Sequence, residues 1–192
     1  MSRPESTMFY MLECFSPDEG DHAQYTWEDE DEDQSWTTGR RFRSPPTLPI
    51  RVTVEPGEEG IEPELTDVPL PLMSTRLADC LRGTGIANID FYPVEVLESA
   101  SGRTSTGLLA FNLIGLVAAA DLEASGCDTP DGPLISVDFD GVVLQPEKIG
   151  GVEMFRLAES VNAIVVSERV RRAIEAAGIH TLSFVPPEEW VG

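Results

Sequence analysis

The chain has 192 residues, of which 34 are acidic and 13 basic, so its net charge is −21 at pH 7. A field of this sign repels nucleic acid and anionic membrane surfaces and favours basic partners, although solubility alone is a second interpretation. The length and the 41% hydrophobic content fit one domain, residues 1–192, that needs no disulfide or metal for its stability. Cys14, Cys80 and Cys127 form no pairing pattern, and no signal peptide is evident, so we expect a cytoplasmic protein.

The first 67 residues form the most acidic part of the chain, with 17 acidic and 5 basic residues. Met8–Leu12 and Ile50–Glu55 have strand patterns, but the polar sequence between them predicts an irregular, acidic N-terminal region. Six consecutive acidic residues predict an exposed loop, because like charges repel one another. Trp27 and Trp36 bracket this run, and aromatic residues commonly anchor interfaces.

We therefore predict that this part of the chain binds a partner. The predicted contact residues are Trp27, Glu28, Asp29, Glu30, Asp31, Glu32, Asp33 and Trp36. The alternative is that both tryptophans pack into the body of the protein and that the acidic run only solubilises a loop.

Two segments that lie 93 residues apart, residues 74–93 and 167–186, have similar sequences. In each, a serine predicts a helix N-cap, apolar residues follow at helical spacing, a glycine predicts the helix end, and an alternating strand pattern follows. Capping accounts for the recurring serine and glycine, but not for the arginine, isoleucine, phenylalanine and proline that also recur. We predict two equivalent helix–strand units that superpose. Their structural residues are Ser74, Arg76, Gly85, Ser167, Arg169 and Gly178.

Arg76 and Arg169 each fall in the first turn of a predicted helix, where the helix dipole disfavours a cation. A carboxylate or backbone carbonyls inside the fold would compensate them. The alternative is an anion-binding site, which the acidic background of the chain makes the weaker interpretation.

The remaining sequence predicts mostly strands. The apolar run Thr106–Glu123 is interrupted by glycines and predicts a buried strand, residues 134–139 and 141–146 predict paired short strands, and residues 154–159 predict another strand. The predicted fold class is α+β, with both helix–strand units packed on one mixed β-sheet. Residues 68–192 form the repeat-containing core, and residues 1–67 form the irregular part.

The string "SVDFDGVVL", residues 136–144, is the strongest enzyme-like signal. It matches the first motif of haloacid-dehalogenase-like phosphatases, in which Asp138 would attack phosphorus and Asp140 would act as acid/base beside Mg²⁺. The residues after Asp140 contain one lysine, Lys148, and no strand that ends in an acidic pair. We therefore favour a tight turn without catalysis, and we expect no catalytic residue, metal or cofactor.

Three stretches carry a resemblance to a known family: "PLMSTRLADCL…IDFYPVEV", "LLAFNLIGLVAAADLE" and "KIGGVEMFRLAESVNAIVVSERVRRAIEAAGIHTLSFVP". Together they resemble the myxobacterial-type immunity proteins of polymorphic toxin systems, known as immunity protein family eleven. The likeness covers Leu65 to the C-terminus and extends more loosely to the first predicted strand and to "W…GRRF…P". The acidic run is not part of the family pattern.

The resemblance implies a small, non-catalytic protein that is encoded beside a toxin, binds that toxin and protects the producing cell. Many toxins of such systems are nucleases, which are basic because they bind phosphate. We therefore expect stoichiometric binding of a basic toxin domain, with no nucleic acid or membrane partner. The sequence leaves open whether the protein forms a homo-oligomer. The alternatives are a Mg²⁺-dependent phosphatase that uses Asp138 and Asp140, and a regulatory module for another basic partner.

Overall fold

The computed structural model describes residues 8–14, 23–27, 35–55, 63–67, 69–127 and 137–192. The strands are β1 (Phe9–Cys14), β2 (Gln24–Trp27), β3 (Ile50–Glu55), β4 (Leu65–Thr66), β5 (Leu72–Ser74), β6 (Ile89–Glu98), β7 (Thr104–Ser105), β8 (Leu108–Leu113), β9 (Leu116–Val117), β10 (Met154–Leu157), β11 (Ser160–Ser167) and β12 (Leu182–Val185). The helices are α1 (Thr75–Gly83), α2 (Pro146–Ile149) and α3 (Glu168–Ala176), and a 3₁₀ turn spans Pro187–Glu189. Within these described ranges, no helix is long and apolar enough to cross a membrane.

The fold is α+β, and its strands form two sheets rather than the single sheet that the sequence predicts. The five-stranded sheet has the order β12-β1-β11-β10-β9, and the seven-stranded sheet has the order β2-β3-β6-β8-β5-β4 with β7 paired to β6. Both sheets are mixed, because β10 pairs with β9 in parallel and β3 pairs with β6 in parallel.

One half of each sheet has the same arrangement of strands and helix. In the N-terminal unit, β5, α1 and β6 form a strand–helix–strand crossover in which β8 lies between the two strands, and β4 pairs with β5. In the C-terminal unit, β11, α3 and β12 form the same crossover around β1, and β10 pairs with β11. All of these pairings are antiparallel, so β8 and β1 hold equivalent inner positions.

The equivalence extends to the strand register. Ser74 lies opposite Leu108 and Phe91 lies opposite Phe111. In the C-terminal unit, Ser167 lies opposite Phe9 and Phe184 lies opposite Leu12. The 93-residue offset of the sequence is therefore kept in the strand pairing. That the two units superpose as whole bodies stays a prediction.

The ends of α1 and α3 follow from local sequence. The Ser74 hydroxyl accepts a hydrogen bond from the Leu77 N–H at 3.0 Å, and the Ser167 hydroxyl accepts one from the Val170 N–H at 3.3 Å. Gly85 and Gly178 follow the C-caps with φ values of 82° and 74°. Only glycine adopts this left-handed backbone without cost, so the helices end where the sequence predicts.

Three apolar cores lie on the two faces of the sheets. The central core contains residues of both helices and of both sheets, including Leu77, Leu81, Val170 and Ile174. Consecutive strand residues alternate between cores, because side chains of a strand point to opposite faces. Residues on the other face of the seven-stranded sheet form one outer core around Trp36, and those of the five-stranded sheet form a second around Phe139 and Trp190.

The N-terminal third is more regular than its sequence predicts. The five-stranded sheet contains β1 as an inner strand, and the seven-stranded sheet contains β2, β3 and β4. Met11 is 1% exposed and Val52 is 2% exposed. The strands predicted at Met8–Leu12 and Ile50–Glu55 are therefore confirmed as β1 and β3, whereas the prediction of an irregular region was wrong for β2 and β4, because distant strands, which local pattern does not reveal, pair with them.

Two further predictions on the strands were incomplete. The run Thr106–Glu123 contains two strands, β8 and β9, with Gly115 at φ 109° between them. Residues 141–146 do not form a hairpin with the described residues of 134–139. Instead, Asp140 bridges to Val191 and Leu144 bridges to Ala120, each antiparallel.

Candidate functional site

Four aromatic side chains, Trp27, Trp36, Phe42 and Tyr92, form an aromatic cluster on the outer face of the seven-stranded sheet. The ring centroids of Trp36 lie 6.3 Å from Trp27, 4.7 Å from Phe42 and 5.5 Å from Tyr92, each in an edge-on arrangement. Such edge-to-face pairs add about 0.5–1.5 kcal/mol each beyond the area they bury. The two tryptophans that the sequence singles out are thus brought together.

Different elements supply the members of the aromatic cluster. Trp27 is the last residue of β2, opposite Val52, and Tyr92 lies in β6. Trp36 and Phe42 lie in the segment of residues 35–49, which crosses the sheet. The cluster is therefore held by two strands and by one irregular segment.

The crossing segment is fixed at Gly39 and Arg40. The Gly39 carbonyl accepts a hydrogen bond from the Gly115 N–H at 2.8 Å, and the Arg40 carbonyl accepts one from the Asn112 side-chain amide at 2.7 Å. Gly39 has a φ of 65°, and a Cβ atom there would lie 2.9 Å from Gly115 and Leu116. Only glycine fits at this position, so the segment that carries Trp36 and Phe42 is anchored on the break between β8 and β9.

Burial differs among the four rings. Trp36 is 6% exposed, and among the described residues none accepts a hydrogen bond from its indole N–H. Trp27, Phe42 and Tyr92 are half-buried, so each leaves part of its ring at the surface. Trp36 therefore supports the cluster from beneath, while the other three offer an aromatic surface.

Charged groups border the aromatic cluster. The Arg41 Nε lies 3.4 Å from a carboxylate oxygen of Asp90, and Arg40 and Arg43 are exposed. Burial raises the pKa of the Tyr92 hydroxyl above its ordinary value; Asp90 adds to this shift, and Arg41 opposes it. The predicted contact residues Glu28 to Asp33 lie outside the described residues, but the residues on both sides of that run, Trp27 and Trp36, belong to the cluster.

Two members of the cluster, Phe42 and Tyr92, were not predicted from the sequence. Phe42 belongs to "GRRF", a string to which the family resemblance loosely extends, so the sequence contained a signal that this residue matters. Tyr92 lies within a strand, where an aromatic residue is expected for packing alone. The proximity of Tyr92 to the tryptophans depends on the parallel pairing of β3 with β6, which no local pattern indicates.

A second arrangement of polar groups joins α1 to α3. The Arg76 guanidinium donates a hydrogen bond to the Ala177 carbonyl at 2.7 Å, and the Arg169 guanidinium donates one to the Thr84 carbonyl at 2.8 Å. Ala177 and Thr84 are the C-caps of α3 and α1, so each helix start binds the other helix end. We call this the arginine exchange.

Each arginine of the exchange also pairs with a glutamate that precedes its helix. Arg76 lies 3.5 Å from Glu64, and Arg169 pairs with Glu153. The same glutamates accept hydrogen bonds from the hydroxyls of Ser74 and Ser167, and the Arg169 guanidinium holds the pKa of Glu153 below its ordinary value. Both cations are thus compensated within the fold, which leaves little for an external anion.

The acidic residues of the phosphatase-like string are exposed. Asp138 and Asp140 lie on either side of Phe139, which is 2% exposed, and the segment pairs with the last residues of the chain. Neither aspartate ends a strand of a sheet, where the phosphatase motif would place them. In the part of the chain that the structure describes, no group of three or more His, Cys, Asp or Glu side chains has a metal-binding arrangement.

A family model matches nearly the whole chain, including the residues of the aromatic cluster and of the arginine exchange. Residues 8–189 match the model of the immunity protein family (Imm11). The chain belongs to this family. The match begins one residue before β1 and ends in the 3₁₀ turn, so it confirms the resemblance and extends it over the N-terminal third. No curated protein matches the chain.

Membership of the Imm11 family supports an immunity role for this protein and fits a non-enzymatic inhibitor. Membership of this family implies binding of a cognate toxin, so a candidate functional site is a surface that can contact another protein. The aromatic cluster contains both tryptophans that are predicted to contact a partner.

Proposed function

We propose that this Imm11 protein binds one basic, nuclease-type toxin domain in the cytoplasm and neutralises it. The aromatic cluster and the acidic run attached to it form the recognition surface. The observation that carries the proposal is the contact between Trp27 and Trp36, whose ring centroids lie 6.3 Å apart. Because the two residues flank the run, both of its ends are joined to one aromatic platform.

The charge of the chain supports a basic partner. The net charge is −21, and the run contributes six carboxylates within seven residues of Trp27. An acidic inhibitor attracts a basic protein over long range and raises the rate of encounter, by about 10- to 1,000-fold in favourable cases. A nuclease domain is basic where it binds phosphate, so an acidic surface would block its active site by imitating the substrate.

The rings of the aromatic cluster would then determine how long the complex lasts. Trp27 is half-buried at the edge of the sheet, which suits a residue that buries further area on binding. Trp36 is buried, so it would act by supporting Trp27, Phe42 and Tyr92 rather than by direct contact.

Association kinetics test the proposal. The partner in the experiment is the toxin domain encoded next to this protein. Neutralising Glu28 to Asp33 together should slow association at low salt and change dissociation little, because exposed charges act mainly on encounter. Trp27→Ala should speed dissociation, at a cost of about 2 kcal/mol if the residue is a true anchor.

The control is the double variant Asp79→Asn/Glu175→Gln, which removes two negative charges on the helix face and should bind nearly like the unmodified protein. Unfolding of each variant, Trp36→Ala included, separates loss of binding from loss of fold. If all of these variants bind alike at low and high salt, the aromatic cluster is not the recognition surface. If the unmodified protein does not bind the toxin domain, the function itself is wrong.

A further inference from the structure

Residues 138–143 and residues 187–192, which begin with the 3₁₀ turn, lie side by side over the outer face of the five-stranded sheet. We call them the C-terminal ribbon. Asp140 pairs with Val191, the Gly141 N–H donates to the Trp190 carbonyl at 2.8 Å, and the Val142 N–H donates to the Pro187 carbonyl at 2.7 Å. The two segments are thus held together along their whole length.

The inner side of the C-terminal ribbon is packed. Phe139 is 2% exposed and Trp190 is 7% exposed, and their ring centroids lie 6.2 Å apart in the outer core of the five-stranded sheet. The Trp190 indole N–H donates to a carboxylate oxygen of Glu13 at 2.7 Å, which ties the ribbon to β1. These contacts hold the ribbon on the sheet, so its outer side has a defined shape.

The outer side combines exposed apolar and acidic side chains. Val191 is 70% exposed and Val143 is 43% exposed, the former being the most exposed large hydrophobic residue that the structure describes. Because side chains alternate along an extended chain, Asp138 and Asp140 point outward on either side of the buried Phe139. Glu188 and Glu189 are also exposed.

The carboxylates of the ribbon differ from those of the helix face in their partners. Glu64, Glu153 and Glu168 each pair with an arginine of α1 or α3. Among the described residues, none pairs with Asp138, Asp140, Glu188 or Glu189 in a salt bridge. Between Arg103 and Arg156, the sequence contains one basic residue, Lys148. These four carboxylates are therefore free of salt bridges within the part of the chain that the structure describes.

We infer that the C-terminal ribbon is a second contact surface for the basic toxin domain, so this inference rests on the proposed function. Val191 and Val143 contact apolar side chains of the toxin, and the four carboxylates face its lysines and arginines. Exposed apolar side chains with a charged rim are the usual composition of an interface. The charge commits the occupant to a basic protein, because it repels nucleic acid and anionic membranes.

Association kinetics with the toxin domain encoded next to this protein provide the test. The variants are Asp138→Asn/Asp140→Asn and Val191→Ser, and the control is Asp79→Asn/Glu175→Gln, which changes the net charge by the same amount on the helix face. The ribbon double variant should slow association at low salt by about 3- to 10-fold, and the control by less than about 2-fold. Val191→Ser should leave association unchanged and raise the dissociation rate by about 5-fold.

If the ribbon variants and the control have the same association and dissociation rates, the inference is wrong, because the total charge of the protein would then account for any slower association. If the N-terminal variants weaken binding and the ribbon variants do not, only this inference fails. If the unmodified protein shows no binding, the proposed function fails and this inference fails with it. Poly-L-lysine serves as a nonspecific cation: if Val191→Ser weakens binding to poly-L-lysine as much as to the toxin, the apolar contact is not specific and the inference is wrong.

Discussion

In the N-terminal unit, the outer face of the sheet is covered by residues 35–49 with the aromatic cluster, whereas in the C-terminal unit it is covered by the C-terminal ribbon and by residues 119–127 and 144–149. Toward the helices, the two units share one core and the same capping residues. On this side, the helix ends and the arginine exchange constrain the sequence, so the same residue types recur in both units. The segments that cover the two outer faces are free of these constraints, and both surfaces that we propose for toxin binding lie in these segments.

The largest expected effect tests whether the two units share one core. Leu81 and Ile174 hold equivalent positions and are 1% and 0% exposed. Leu81→Ala and Ile174→Ala should each lower the free energy of unfolding by about 2–5 kcal/mol, because each leaves a cavity in a packed core. Urea unfolding should remain a single transition in both variants. Leu97→Ala, at a residue that is 42% exposed, is the control and should cost little. Two separate transitions would show that the units are independent.

A smaller effect is expected from the arginine exchange. The side chains of Arg76 and Arg169 are 55% and 52% exposed, so solvent screens their ion pairs. Arg76→Ala and Arg169→Ala should each cost about 1 kcal/mol, mainly through the lost hydrogen bond to a helix end. The two contacts lie at opposite ends of the helix pair, so their costs should add within about 0.5 kcal/mol.

A double-mutant cycle in urea measures this additivity. Arg172→Ala is the control, since Glu168 of the same helix is its one partner among the described residues and Arg171 also binds that glutamate. If one arginine of the exchange contributes to the free energy of unfolding and the other does not, the two units are not equivalent in this contact.

The smallest expected effect is a loss of stability at acid pH. Hydrogen bonds from Arg171, and then from Arg172, hold the pKa of Glu168 at about 2, and Arg169 lowers the pKa of Glu153. A depressed pKa in the folded state stabilises the protein above the ordinary carboxyl pKa of about 4.5, and this contribution is lost as the pH falls toward 2. The free energy of unfolding should therefore fall between pH 5 and pH 2, and less steeply in Glu168→Gln. An unchanged slope in that variant would contradict the assignment of this acid dependence to α3.

Local signals account for what the sequence predicted well. Serine at an N-cap and glycine after a C-cap act within one turn of helix, so α1 and α3 begin and end as expected. Strand β3 has the alternation of a half-buried strand and lies where it was predicted, at Ile50–Glu55. The arginines were flagged because their positions conflict with the helix dipole, a conflict that can be read without a structure.

The failures concern distant pairing. Strand β11, Ser160–Ser167, was missed because it is buried on both faces and runs directly into the N-cap of α3, so it has little alternation. Strands β4 and β5 have two and three residues and are too short for a periodic signal. At the candidate site, Trp27 and Trp36 were singled out by their position beside the acidic run, whereas Tyr92 joins them only because β6 lies next to β3.

The inner position of β1 has a consequence for the order of folding. The N-terminal unit is continuous in sequence, since β5 pairs with β8 only about one helix and one strand later in the chain. The C-terminal unit pairs Phe9 with Ser167, so its inner strand is synthesised long before its neighbours. Closing so long a loop costs more chain entropy and slows pairing. During synthesis, β1 therefore remains an unpaired apolar strand until β11 and β12 emerge, and the N-terminal unit is the part able to fold first.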